Sequence, residues 1–258
     1  MAYHHEVAIA WEEHGSGAPL LLIHGLGYGR WGWEPLLPLL SDHFRVIIFD
    51  NRGIGDSSVP PGAYSAATMA GDAAAVLDAA GVRSAHVVGT SLGGMIAQEL
   101  AVDRAHQVDR LVLMSTTPGG SLGHPMPEVT ARLIADAPSW EPEVALRRFI
   151  ENALRDGVEP DIIERILQHR LANPQNPTGW MGQAAAGTTY NGEGRVSAIR
   201  APTLVLHGTA DRVVDCRNAE LLASLIPGAQ LRLFPDAGHL FFWEDPASVA
   251  ETINESLQ

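Results

Sequence analysis

Cysteine is almost missing from the chain: Cys216 is the only one in 258 residues, which excludes an intrachain disulfide and any cysteine-based metal cluster. An isolated cysteine of this kind reads as a small packing residue rather than a nucleophile. Positive charge is scarce too. Lys and Arg total 17 against 30 Asp and Glu, a formal net charge of -13, and the cations are scattered. Such a surface repels phosphate backbones and anionic lipid, so neither nucleic acid nor membrane is an expected partner. No apolar run reaches the roughly 18 to 20 residues that cross a bilayer. The opening stretch from Met1 to Gly15 has no basic segment followed by an apolar run and a small-residue cleavage site, and the expected location is cytoplasmic. Repeats, low-complexity tracts and charge blocks are also lacking.

What is present is ample apolar material, 46% of the residues, in a length that suits one large α/β domain. Short aliphatic or β-branched runs occur at Leu20 to Ile23, Arg45 to Phe49, Ala85 to Val88, Arg110 to Met114, Thr203 to Leu206 and Gln230 to Phe234. Their near-continuous apolarity is that of parallel strands covered on both faces. Helical patterns lie between them, such as Met69, Ala73, Val76, Leu77 and Ala80, which Gly81 ends. Alternating strand and helix predict βαβ crossovers in a doubly wound, mostly parallel sheet, with ligands bound beyond the carboxyl ends of the strands. The segment Tyr3 to Trp11 is expected to add an antiparallel edge strand or hairpin.

One stretch breaks the rhythm. From Thr117 to about Arg200 no strand is readable, but helices are expected at Glu128 to Ala137, Glu141 to Leu154, Asp161 to Leu171 and Gly179 to Thr189, punctuated by prolines. The predicted organisation is therefore a core in two parts, 1–116 and 201–258, with a helical cap inserted at 117–200.

The strongest chemical signal is Gly89-Thr90-Ser91-Leu92-Gly93, a G-x-S-x-G string directly after one strand and before a helical Met95, Ile96, Leu100 pattern. A sharp strand-to-helix turn exposes the Ser91 hydroxyl above the sheet, and the helix N-terminus favours developing negative charge. A serine needs a base and an orienting carboxylate. Both are expected in turns after later strands: Asp211 closes Pro202 to Asp211, and His239 follows Leu231 to Gly238, giving the chain order Ser, Asp, His. Asp215 is an alternative acid if the first turn is longer, Asp236 reads as a turn former, and the loop after Met114 holds no carboxylate.

Such chemistry also needs two backbone N–H groups for an oxyanion. Leu92 supplies one and Leu26, in His24-Gly25-Leu26-Gly27, the other. A dinucleotide loop is excluded because Arg30 stands where G-x-G-x-x-G requires its third glycine. In the turn Asp50 to Ser57, Asp50 and Arg52 are expected either to brace the active-site loops or to form a structural ion pair. Trp31, Trp33, Trp140 and Trp180 are candidate pocket walls, of which Trp31 is the expected substrate contact, although any one of them more readily packs in the core or at the cap interface.

Taken together, His24 to Gly27, Asp50 to Ser57, Gly89 to Gln98, Pro202 to Asp211, Ala237 to Leu240 and Glu244 to Pro246 resemble the α/β-hydrolase superfamily, within it the 3-oxoadipate enol-lactonase and small carboxylesterase group. The resemblance covers most of the chain and implies a serine hydrolase acting on a small ester or lactone, without metal or cofactor. Two departures stand out: Ile54 replaces a histidine or tyrosine common in relatives, and Thr90 replaces the asparagine typical of carbon-carbon bond hydrolases. A vinylogous-diketone hydrolase and a slow-turnover small-molecule receptor remain alternatives. Haloalkane dehalogenases and epoxide hydrolases carry aspartate where this chain has Ser91.

Overall fold

The computed structural model describes the whole chain, Met1 to Gln258. Nine strands are present: β1 (Ala2–His4), β2 (Val7–Ile9), β3 (Trp11–His14), β4 (Ala18–Ile23), β5 (Phe44–Phe49), β6 (Ala85–Thr90), β7 (Val108–Met114), β8 (Thr203–Gly208) and β9 (Gln230–Phe234). Seven of them form one sheet in the order β3-β5-β4-β6-β7-β8-β9. All neighbours in it are parallel except β3, which pairs antiparallel with β5 from Trp11↔Phe49 to His14↔Val46. Of the two forms expected for Tyr3 to Trp11 the segment takes the hairpin, β1 with β2, and the antiparallel edge strand β3 follows it, beginning at Trp11.

Helices alternate with the strands as the periodicity demands: α1 (Leu37–Ser41), α2 (Ala66–Ala79), α3 (Leu92–Asp103), then α4 (Glu128–Asp136), α5 (Pro142–Ala153), α6 (Pro160–Ala172) and α7 (Pro177–Thr188), and finally α8 (Arg217–Leu225), α9 (Phe241–Glu244) and α10 (Pro246–Leu257). Three of the four helices between β7 and β8 begin on a proline, whose fixed φ suits the first helical turn and whose missing N–H costs nothing there. This run is the inserted helical region. None of the ten helices is long and apolar enough to cross a membrane.

Two cores lie on opposite faces of the sheet, sorted by the two-residue period of a strand. Leu21, Ile23, Ile47, Val87, Leu111 and Val205 meet α2, α3 and α8 on one face. Leu20, Leu22, Val46, Ile48, Val88, Val112 and Leu206 face α1 and α10, with Ile150, Leu154, Ile166 and Leu167 of the helical insertion joining them. Every one of these strand residues is at most 1% exposed, which is why β4 to β8 read as unbroken apolar runs; β9, at the sheet edge, is instead exposed from Gln230 to Arg232 and is not covered on both faces.

The topology also says where a site belongs. The chain runs from β4 to its neighbour β5, then crosses to the other side of β4 to lay down β6. Connections leaving β4 and β6 therefore diverge beyond their carboxyl ends, opening a crevice at this switch point. The crevice is bordered by the residues after Ile23 and after Thr90, the two loops that carry His24 to Gly27 and Ser91.

Candidate active site

Ser91 sits between β6 and α3 with φ 55° and ψ −121°, a backbone conformation that costs a side-chain-bearing residue about 1–3 kcal/mol. The surroundings hold it there. Its N–H donates to Met114 O (2.9 Å), its carbonyl accepts from Thr116 Oγ1 (2.7 Å), and Gly94 N donates to that carbonyl from the first turn of α3. Only glycine fits at 93, since a Cβ there would lie 2.0 Å from Ile23 O. The tight turn of G-x-S-x-G is thus a consequence of α3 pressing on the end of β4.

Asp211 and His239 come together as expected, with His239 Nδ1 donating to Asp211 Oδ2 at 2.7 Å. Their two turns are zipped to each other: Thr209 N donates to Phe234 O and Ala210 N to Ala237 O, so the loop after β8 cannot separate from the loop after β9. The His239 carbonyl accepts from Ser115 Oγ at 2.9 Å. Consecutive residues at the end of β7, Met114 and Ser115, therefore anchor Ser91 on one side and His239 on the other. The Ser91 hydroxyl makes no capping bond and is not hydrogen-bonded to the imidazole; a contact of that kind commonly tightens only with substrate in place.

Asp211 is almost fully enclosed, and three donors hydrogen-bond its carboxylate. Val213 N–H and Val214 N–H reach Oδ1 at 2.7 and 2.9 Å and His239 Nδ1 reaches Oδ2, while His207 Nε2, hydrogen-bonded to Val214 O (3.1 Å), lies 3.0 Å from Oδ2. Burial alone would raise its pKa, but the His239 charge and bond, with His207 close by, outweigh it and hold the carboxyl well below the usual carboxylate range. Asp215, the alternative acid, is instead bound to Arg217 (2.5 Å) in a partly exposed pair. His207 was not legible as part of the site, although a histidine four residues before the acid at a strand end was the available signal.

The second loop lies against the serine. A Cβ on Gly25 would stand 3.0 Å from Ser91 Cβ and 3.5 Å from Oγ, so the missing side chain leaves room at the nucleophile. Gly25 O accepts from Tyr28 N (3.3 Å), closing a turn, and the Leu26 N–H has no acceptor in the chain. Leu92 opens α3, and a first-turn helical N–H has no intrahelical partner. The two N–H groups singled out as oxyanion donors thus have no partner within the chain.

His24, buried beneath this loop, accepts the Gly25 N–H on Nδ1 at 2.7 Å and stacks on Tyr28 with centroids 4.8 Å apart. Burial pushes its pKa down to about 3, opposed by the Gly32 backbone and reinforced by the charges of His239 and Arg170. Neutral His24 in the fold and an ordinary imidazole near about 6.5 in the unfolded chain mean that unfolding takes up a proton between those values. Stability is fully present above that window and falls as pH drops through it, by up to about 1.4 kcal/mol per pH unit. His24→Phe should flatten that dependence by about one proton between roughly pH 4 and 6.5, read from urea unfolding at several pH values.

Other candidates moved. Asp50 and Arg52 do not pair with each other: Arg52 forms a buried bidentate pair with Asp72 of α2 (2.5 and 2.6 Å), and Asp50 accepts from Arg30 Nε and the Arg30 and Asp56 N–H groups. Neighbours in a tight turn project apart, so each found a partner elsewhere. Trp33 is fully buried against His24 and Phe242, which removes it as a pocket wall. Trp31 stacks on His169 of α6 (5.0 Å, 7°) where the insertion meets the sheet, and Trp180 is 37% exposed. Burial beside Asp215 pushes the Cys216 thiol up, so it stays protonated at neutral pH.

A sequence profile described as the alpha/beta hydrolase fold matches residues 18–246. The chain belongs to the alpha/beta hydrolase family. Within the family, a 2-hydroxy-6-oxo-6-phenylhexa-2,4-dienoate hydrolase from Comamonas testosteroni is 31% identical over 258 residues, covering 92% of this chain and 86% of the relative. Among solved structures, a thermophilic esterase from Thermogutta terrifontis superposes with TM-score 0.83 at 30% identity, covering 97% and 93% of the two chains. The enol-lactonase of Burkholderia xenovorans LB400 does so with TM-score 0.84 at 25% identity, covering 98% and 97%. Esterases, lactonases and carbon-carbon bond hydrolases of the family are thus all similar to this chain at about 30% identity or somewhat below.

Proposed function

We propose that this alpha/beta hydrolase cleaves a small carboxylic ester or lactone through an acyl-enzyme, with Ser91 as nucleophile, His239 as base and Asp211 as the orienting acid. The observation that carries the reading is the 2.7 Å bond from His239 Nδ1 to a buried, ionised Asp211. A donor bond at Nδ1 leaves Nε2 with its lone pair, the form that accepts a proton from a serine hydroxyl.

The steps follow from those roles. His239 Nε2 takes the Ser91 proton as Oγ attacks the acyl carbon, and the carbonyl electrons move onto oxygen, where the Leu26 and Leu92 N–H groups receive the negative charge. Collapse of the tetrahedral adduct expels the alkoxide, which the imidazolium protonates. Water, giving its proton to His239, then attacks the acyl-enzyme and releases the acid and Ser91. In a lactone the leaving alkoxide stays tethered to the acyl group, and one hydroxy acid results. Trp31, with His169 and Tyr28 around it, is the proposed wall on the insertion side of the substrate.

The similarity to a dienoate hydrolase favours one second reading, cleavage of a vinylogous diketone by the same three residues. A substrate panel separates them: a short-chain p-nitrophenyl ester, a γ-lactone and a 6-oxodienoate. Turnover of the ester or lactone at kcat on the order of 10 s⁻¹ is expected. Exclusive turnover of the dienoate would select the second reading, and a single stoichiometric event without turnover would make the protein a receptor.

A further inference from the structure

The oxyanion loop is held chiefly by the helical insertion. Gly27, with φ +73°, is the third residue of the Gly25 to Tyr28 turn, where a type II turn demands a positive φ. Its N–H donates to Gln183 Oε1 on α7 (2.9 Å), while its carbonyl accepts from Arg170 Nη1 on α6 (2.7 Å) and from Gln175 Nε2 (2.5 Å). Three side chains of the insertion therefore grip both ends of one glycine.

Gln183 is the rigid member of this grip. It is 1% exposed, and its Nε2 donates to Arg52 O at 2.8 Å, on a residue that the paired Asp72 fixes in turn. Only one orientation of the amide satisfies a donor at Gly27 and an acceptor at Arg52. Leu26 is flanked by two held peptides: on one side Gly25 O is bound by Tyr28 N, which aims the antiparallel Leu26 N–H the opposite way, and on the other the Gly27 N–H is bound by Gln183.

We infer that Gln183 is a positioning residue for the oxyanion hole, acting through the Leu26-Gly27 peptide, so that the hole is formed only when the insertion is seated on the sheet. The inference rests on the ester-hydrolase reading given above. A turn whose central peptide has lost its partner samples the flipped form, in which Leu26 shifts, and a misplacement of about 1 Å can cost on the order of 10²-fold in rate.

The test compares Gln183→Met, Gln183→Asn and Gln175→Ala with the parent chain. Gln183→Asn keeps a buried amide but draws it one methylene back from Gly27, which provides a folded variant should Met not be accommodated. Two quantities are measured: kcat/KM for a p-nitrophenyl ester, and Ki for a trifluoromethyl ketone, which Ser91 converts to a hemiketal bearing an oxyanion. Each Gln183 variant should lose about 10 to 10²-fold in kcat/KM and weaken the ketone by the same factor, with affinity for the product acid changed less than about twofold. Gln175→Ala should lose less, in the same proportion. Unchanged kcat/KM per folded molecule, or lost activity with an unaltered ketone Ki, would overturn the assignment. A parent chain that neither turns over ester nor binds the ketone would instead sink the hydrolase reading itself, before any variant is compared.

Discussion

Replacing Ser91 by alanine is expected to lower kcat/KM for a short p-nitrophenyl ester on the order of 10⁶-fold, the loss typical when a serine nucleophile is removed from a working triad. The fold should not notice. The hydroxyl caps nothing, while the bonds that hold the elbow use the backbone N–H and carbonyl of residue 91, which alanine retains. Alanine also accepts the same strained φ no worse than serine does. Tm should therefore stay within about 2 °C of the parent. Retained esterase activity with an intact fold would show that hydrolysis occurs elsewhere.

Asp211→Asn should act on both function and stability. The carboxylate receives the His239 donor on Oδ2, with His207 Nε2 3.0 Å away, and two peptide donors on Oδ1, and an amide can present an acceptor to only one side. If the amide nitrogen faces His239, the imidazole turns its Nδ1 lone pair inward and loses the tautomer needed for catalysis, at a cost of about 10⁴ in kcat. If it faces Val213 and Val214, buried donors oppose each other. Either arrangement leaves polar groups unpaired, each worth about 1–3 kcal/mol, so Tm should fall by several degrees. The pH dependence follows. Asp211 is held below its unfolded pKa, so its stabilising contribution is present above the ordinary carboxylate range and is lost as pH falls below it. Asp211→Asn should lose that acid-side dependence, which thermal melts at several acidic pH values would read.

Much of this architecture was readable from residue order. Strands buried on both faces left unbroken apolar runs, and the helices of the insertion announced themselves through prolines at their first positions. Ser91, Asp211 and His239 stood out because each follows a strand, and the sheet delivers strand ends to one rim. What escaped notice depends on distance along the chain. Gln183 is an ordinary polar residue in a helix of small residues, and its partner Gly27 lies 156 positions away. Asp50 and Arg52 suggested each other by proximity, yet their partners are Arg30 and Asp72, placed by α2 and by the turn after β4. His207 looked like a strand residue until Asp211 folded back beneath it.

The central claim is that Ser91 is activated by His239 held on Asp211, and covalent trapping addresses it most directly. Treating the chain with a p-nitrophenyl alkylphosphonate and mapping the adduct by peptide mass spectrometry should give one modification per chain, on Ser91. Labelling should become much slower in Asp211→Asn and should track the loss of esterase activity in time. An adduct on another residue, or full ester turnover by a chain whose Ser91 stays unmodified, would contradict it.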